Sequence, residues 1–190
     1  MNRLATFASL VLCVVLGFFV WYSWPVTPVV QIPPFSDYEP KYPVRLEIFD
    51  QTVLSPTVGT VVRVLDGDTL DVLFSTGNVV RVRLAGIDAP EKRQPYGRET
   101  QQYLDSLTCT GQVGVYTVNT DRYGRHVAYV FVEDTCINAL LVQQGYAWHY
   151  KEYSKSEELA AAEQAVAAAK LNLWSDENPI PPWDWRGGKR

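Results

Sequence analysis

The sequence predicts a mainly β chain with helices (α+β): five short strands that form a small barrel, interrupted by three helices. Three observations carry that expectation. Runs of alternating apolar and polar residues recur through the middle of the chain at strand length, with turn residues between them. Segments of helical period lie between the third and fourth runs and after the fifth. Apolar residues make up 47% of 190 residues, ample for one core with extra segments around it.

The N-terminus comes first. After Met1-Asn2-Arg3, the stretch from Leu4 to Trp24 holds no charged residue and is long enough to cross a bilayer. A cleaved export signal and an uncleaved anchor compete here. A cleaved signal calls for a shorter apolar run and small residues at its exit. The exit Phe18-Phe19-Val20-Trp21-Tyr22-Ser23-Trp24 is bulky and aromatic, like an interfacial belt, which favours the anchor. Residues 1–24 are therefore expected to form an N-terminal transmembrane helix with Arg3 in the cytoplasm. The rest is then extracytoplasmic, in the periplasm or at the cell exterior, and secreted if the segment is cleaved. Residues 25–57 are rich in proline and read as an extended spacer, with a short strand at Val44–Phe49.

Residues 58–176 form the expected globular domain. Alternation places strands near Thr60–Leu65, Thr69–Phe74, Val79–Ala85, Val113–Val118 and His126–Val132. Asp66-Gly67 between the first two is a hairpin signal. Helices fit Gly97–Leu107, Ile137–Gln144 and Ser154–Leu173, the last opening with Ser154 and Glu157 at capping-box spacing. Five strands in this order, interrupted by helices, fit an OB-fold. The tail, 177–190, is broken by prolines, and its tryptophans are expected to pack along the domain.

Asp68, Asp88 and Glu91 supply hard oxygen ligands and a base, while Arg83 and Arg125 supply planar forks that fit a phosphate bidentately. A cation among carboxylates, facing guanidiniums across a phosphate, suits cleavage of a phosphodiester. Each piece has a plainer reading alone. Asp66-Gly67 is a turn, Asp88-Ala89-Pro90 a helix entry, and Asp121-Arg122-Tyr123-Gly124-Arg125 a turn with an ion pair. Their order and company favour the chemical reading.

The ordered set Asp66-Gly67-Asp68-Thr69, Arg83, Ile87-Asp88-Ala89-Pro90-Glu91, Tyr123-Gly124-Arg125 and Lys170-Leu171-Asn172-Leu173-Trp174-Ser175 resembles the staphylococcal nuclease family. The resemblance runs from about Gly59 to Trp174 and also implies the OB-fold. It places metal ligands on the Asp68 and Asp88 carboxylates and the Ala89 backbone carbonyl. It places the group that orients or deprotonates water on Glu91, and the phosphate grip on Arg83 and Arg125. Tyr123 falls near the nucleotide. The implied activity is a sugar-nonspecific endonuclease hydrolysing DNA and RNA to 3′-phosphate ends, with Ca2+ as cofactor; Mg2+ or Mn2+ suit the same carboxylates. The rival expectation is a non-catalytic OB module that binds nucleic acid or protein.

Other hydrolytic designs are excluded by composition. His126 and His149 are too few and too far apart for a histidine–metal centre. His149 lies in Tyr146-Ala147-Trp148-His149-Tyr150-Lys151-Glu152-Tyr153, which is either a half-buried loop or a stacking platform; on the second reading Tyr150 and Tyr153 contact a base. A net charge of −4 argues against broad wrapping of a duplex but permits a small phosphate footprint. Cys109 precedes the fourth strand and Cys136 follows the fifth, so antiparallel pairing would bring them together, and an oxidising location would permit a disulfide. Nothing in the sequence indicates a protein partner, and a monomer is expected.

Overall fold

The computed structural model describes residues 56–109 and 111–190. The expected anchor, nearly all of the spacer and the strand at 44–49 lie outside them. Among the described residues, no helix is long and apolar enough to cross a membrane.

Strand β1 (Thr57–Val64) pairs antiparallel with β2 (Thr69–Phe74), and β2 with β3 (Val79–Leu84). On its other side β1 pairs with β5 (Gln112–Thr120), which pairs antiparallel with β6 (His126–Val132). β6 then runs parallel to β3 through Val82↔His126, Arg83↔Val127 and Leu84↔Ala128. That last ladder closes five strands into a barrel, the expected OB-fold within an α+β chain. Alternation decides which residues face inward: Leu70 and Val72, Val82 and Leu84, Val113 and Val115, Ala128 and Val130 are all buried. Each large apolar side chain so buried contributes roughly 1.5–3 kcal/mol. Register shifts at Val61/Arg63 and Thr117/Asn119 supply local bends of the kind a barrel wall requires.

Helix α1 (Gly97–Leu107) buries Tyr103, Leu104 and Leu107. Helix α2 (Ile137–Gln143) follows the two-residue strand β7 (Thr135–Cys136) and is buried from Ile137 through Val142. Asn138 is wholly buried on α2, and its amide bridges the parallel seam. Its Oδ1 accepts from the Val130 N–H at 2.9 Å, and its Nδ2 donates to the carbonyls of Ala85 at 2.9 Å and Ala128 at 3.1 Å. The chain leaving β3 is thereby fixed where it turns toward strand β4 (Ile87–Asp88), which pairs with β8 (Trp148–His149).

Three expectations need correction. The third helix, α3, spans Glu157–Ala168 and is shorter at both ends than Ser154–Leu173. Its cap is Ser156, whose Oγ accepts from the Leu159 N–H at 3.1 Å. It ends because Lys170 and Asn172 adopt left-handed backbone, after which Asn172–Ser175 forms a 3-10 turn. Second, Cys109 and Cys136 are free thiols, not a disulfide. β5 and β6 do pair antiparallel, but Cys136 turns inward with β7 opposite Phe131, while Cys109 stays exposed just beyond α1. Third, the tail is not merely proline-broken: Pro182–Arg186 forms a short helix, α4, with proline in its first turn.

Candidate active site

The hairpin between β1 and β2 carries Asp66, Gly67 and Asp68. The Asp66 side chain accepts from the Asp68 N–H at 3.1 Å, and the Leu65 N–H donates to the Thr69 carbonyl at 2.9 Å, an Asx-type turn. Gly67 is required by space: a Cβ there would stand 2.6 Å from Thr100 Cγ2 and 2.8 Å from Ala89 Cβ. This close approach brings the Asp68 loop against the strand end bearing Asp88. A direct hydrogen bond fastens the two, the Ala89 N–H donating to Asp68 Oδ2 at 2.8 Å.

Arg83, opposite Thr69 on β3, spans both acids. Its Nη1 lies 2.8 Å from Asp68 Oδ2, and its Nη2 lies 2.8 Å from Asp88 Oδ1. Both carboxylates are buried, Asp88 at 1% exposure. Burial pushes the Asp68 carboxyl up to about 7; Arg83 pulls against that shift, while the charges of Asp66 and Asp88 add to it. Glu91 is more open and follows two residues after Ala89. Its backbone is held by Gln94, whose Oε1 accepts from the Glu91 N–H at 3.0 Å. The Glu91 carbonyl lies so close to Gly97 that any Cβ on that residue would run into it.

The remaining expected residues are arranged differently. Arg125 immediately precedes β6, one residue before the pairing of His126 with Val82, but its guanidinium turns to Asp121 at 2.7 Å and lies over the Tyr123 ring at 5.6 Å. Tyr123 is 69% exposed beneath Arg122 and Arg125. The aromatic stretch is divided. His149 is buried in β8, and burial draws its pKa down, favouring the neutral ring. Tyr150 leaves that strand with its N–H on the Gly86 carbonyl at 2.9 Å and rests against Tyr153, ring centroids 4.8 Å apart. Tyr153 is 72% exposed.

Residues outside the expected set also reach the site. Trp183 on α4 stacks on Tyr150 at 5.4 Å with planes 3° apart, and Gln94 Nε2 donates to the Ile180 carbonyl at 2.6 Å. These contacts deliver Arg186 to Asp88 Oδ2 and to Glu91 Oε1, each at 2.8 Å. Beside them opens a cleft of about 500 Å³ lined by Trp148, Tyr150, Trp174 and Trp183. Nothing local in the tail marks Arg186 as a site residue.

The oxygen donors suit a hard cation. Two buried acids, one of them with a raised pKa, are carboxylates that a cation would stabilise in the charged form. Among the described residues, no group of three or more acidic, histidine or cysteine side chains converges for metal binding.

Residues 81–176 match the family model described as staphylococcal nuclease homologue, and that span includes Arg83, Asp88, Glu91 and Arg125. The chain belongs to the staphylococcal nuclease family. It is 42% identical over 149 residues to an uncharacterized endonuclease of Escherichia coli O157:H7, covering 77% of this chain and 97% of that protein. It is also 42% identical over 139 residues to a micrococcal nuclease of Shigella flexneri, covering 67% of this chain and 79% of that one. A probable staphylococcal-like nuclease of Oryza sativa subsp. japonica is 40% identical over 110 residues, covering 58% of this chain and 29% of the plant protein. Asp68 lies ahead of the span matched by the family model, in the hairpin that the barrel presses against Asp88.

Proposed function

We propose that this staphylococcal-nuclease family member is a hydrolase, an endonuclease that uses a divalent cation, calcium by preference, to hydrolyse phosphodiesters of DNA and RNA and leave 3′-phosphate ends. The observation that carries the reading is Arg83 spanning two buried carboxylates at 2.8 Å each, a paired-acid site with a phosphate-shaped fork already in place. Asp68, Asp88 and the Ala89 carbonyl would hold the cation, which when bound supplies positive charge for the phosphoryl oxygens and eases ionisation of water. Glu91, the most open of the three acids, accepts a proton from the attacking water. Arg83 and, after release from Asp121, Arg125 donate to the phosphate oxygens. Their hold tightens as negative charge grows in the transition state, which is what accelerates the reaction. The bond to the 5′ oxygen breaks and the phosphate stays on the 3′ side. Tyr123 and Tyr153, both exposed, offer ring faces to nucleobases, whereas Trp183 already covers a face of Tyr150. The charge-free N-terminal run supports anchoring in a membrane with the nuclease domain extracytoplasmic, and a monomer suffices for the site.

The test uses full-length chain in mild detergent with single- and double-stranded DNA and with RNA, in calcium or chelator. Cutting should require calcium and fall by about a hundredfold or more in Asp68→Ala, Arg125→Ala and Arg83→Lys. Tight binding of oligonucleotides without cutting in any divalent cation would instead identify a recognition module.

A further inference from the structure

Arg186 stands to Asp88 as Arg83 does. Arg83 Nη2 is 2.8 Å from Asp88 Oδ1, and Arg186 Nη2 is 2.8 Å from Asp88 Oδ2, with its Nη1 reaching Oδ1 at 3.3 Å. Arg186 also holds Glu91 Oε1 at 2.8 Å. This is more than a loose surface pair. The helix bearing it is started by Pro181 and Pro182, docked by the Trp183–Tyr150 stack, and tied by Gln94 to the loop that follows Glu91. Tyr150 in turn extends the strand paired with Asp88, so the tail rests on the element that places the acid.

Charge counting shows what such a group is for. Asp68, Asp88 and Glu91 bring three negative charges when ionised, and Arg83 and Arg186 bring two positive ones, leaving one negative. A divalent cation on the acids makes the site singly positive, and one phosphodiester returns it to neutral. Without Arg186 the cation-loaded site would be neutral, and a bound diester would leave it singly negative in partly buried surroundings, which disfavours an anionic substrate. Arg125 does not fill that role as it stands, since Asp121 neutralises it. Carboxylate oxygens engaged by a cation bind a guanidinium less strongly, and a phosphate arriving beside them presents the fork with equivalent acceptors.

We propose that Arg186 is a third phosphate-gripping residue of the nuclease site, binding the diester from the Asp88 oxygen that Arg83 leaves free, so that helix α4 is part of the substrate-binding machinery. The inference rests on the nuclease reading above.

The test takes full-length chain with calcium and a fluorescent single-stranded oligonucleotide, in a Glu91→Gln background that slows cutting. Arg186→Gln should weaken binding about tenfold, the worth of one lost charged hydrogen-bonding contact. It should also reduce the slope of log affinity against log salt by about 0.7, one phosphate contact on a single strand. Arg186→Lys should restore the slope but not the full affinity, because charge returns without the fork. With Glu91 intact, kcat/KM of Arg186→Gln should fall about a hundredfold. A merely structural arginine would weaken binding with the slope unchanged, and that result overturns the proposal. So does an Arg186→Gln chain that cuts as fast as its parent while gaining a larger calcium-induced rise in Tm, since the arginine would then be a competitor of the cation. If the parent does not cut in any divalent cation, the nuclease reading fails, yet the salt slope still decides whether Arg186 meets phosphate.

Discussion

Protons and cations compete for Asp68. Burial holds its carboxyl at about 7, well above the ordinary carboxylate range. Between that range and about pH 7 the folded chain keeps a proton the unfolded chain has lost, so in cation-free protein this group lowers stability as pH rises. A cation must displace the same proton, so its affinity should increase over the same interval. The rise in Tm on adding calcium should thus be larger at about pH 8 than at about pH 5.5, and equal shifts would show that Asp68 takes no part. The thiols offer a second check at this scale. Cys109 is exposed, and burial pushes the Cys136 thiol up to about 11. In a Cys13→Ser background, one thiol should react rapidly in native unreduced protein and two after denaturation; a disulfide would give none in either state. Asp68, Arg83, Asp88 and Glu91 were legible in the sequence because each sits in a short motif whose spacing implies a turn or strand. Asn138 was not, although an amide inside the apolar run Ile137–Val142 is a signal: a buried amide needs partners, and here they are backbone groups of two strands.

At the scale of elements, one carboxylate ties three strands. Asp71 on β2 meets Arg63 of β1 at 2.7 Å and Arg81 of β3 at 2.9 Å, each its direct cross-strand neighbour. The Arg81 hydrogen bond, followed by that of Arg63, holds its pKa below the usual value despite opposing burial. A depressed carboxyl stabilises the fold at neutral pH, and that contribution disappears as pH falls through the carboxylate range. Asp71→Asn should flatten the acid limb of Tm against pH, with a modest cost at neutral pH because both arginines are substantially exposed. An unchanged acid limb would assign that sensitivity to other carboxylates. Periodicity located α1, β2 and β6 at their observed bounds, since strong patterns meet clear turns there. It overran α3 because an alanine-rich stretch carries no stop signal of its own; the left-handed residues at Lys170 and Asn172 depend on contacts such as Asn172 Nδ2 to the Gln144 carbonyl at 2.6 Å.

For the whole molecule, a chain of net charge −4 has little long-range attraction for polyanions, so binding must come from local forks. Arg83, Arg125 and Arg186 together imply a slope of log affinity against log salt near about −2 on single-stranded DNA. A much steeper slope would point to a broader basic surface than the site offers. The barrel was legible as a whole because its strands are local patterns in a recognisable order. The docking of α4 was not, because a contact between residues 98 positions apart leaves no periodicity to read. Distance along the chain has a further consequence during synthesis. The barrel's strands end with β6 at Val132, and the Asn138 amide that bridges their seam follows on α2, whereas the guanidinium that meets Asp88 is translated only at position 186. A ribosome can therefore carry a finished barrel with an unfinished site, and N-terminal parts tend to fold first as they emerge. On the proposed role of Arg186, a chain short of α4 would cut poorly, so the order of translation would itself keep the enzyme idle until position 186 has been made.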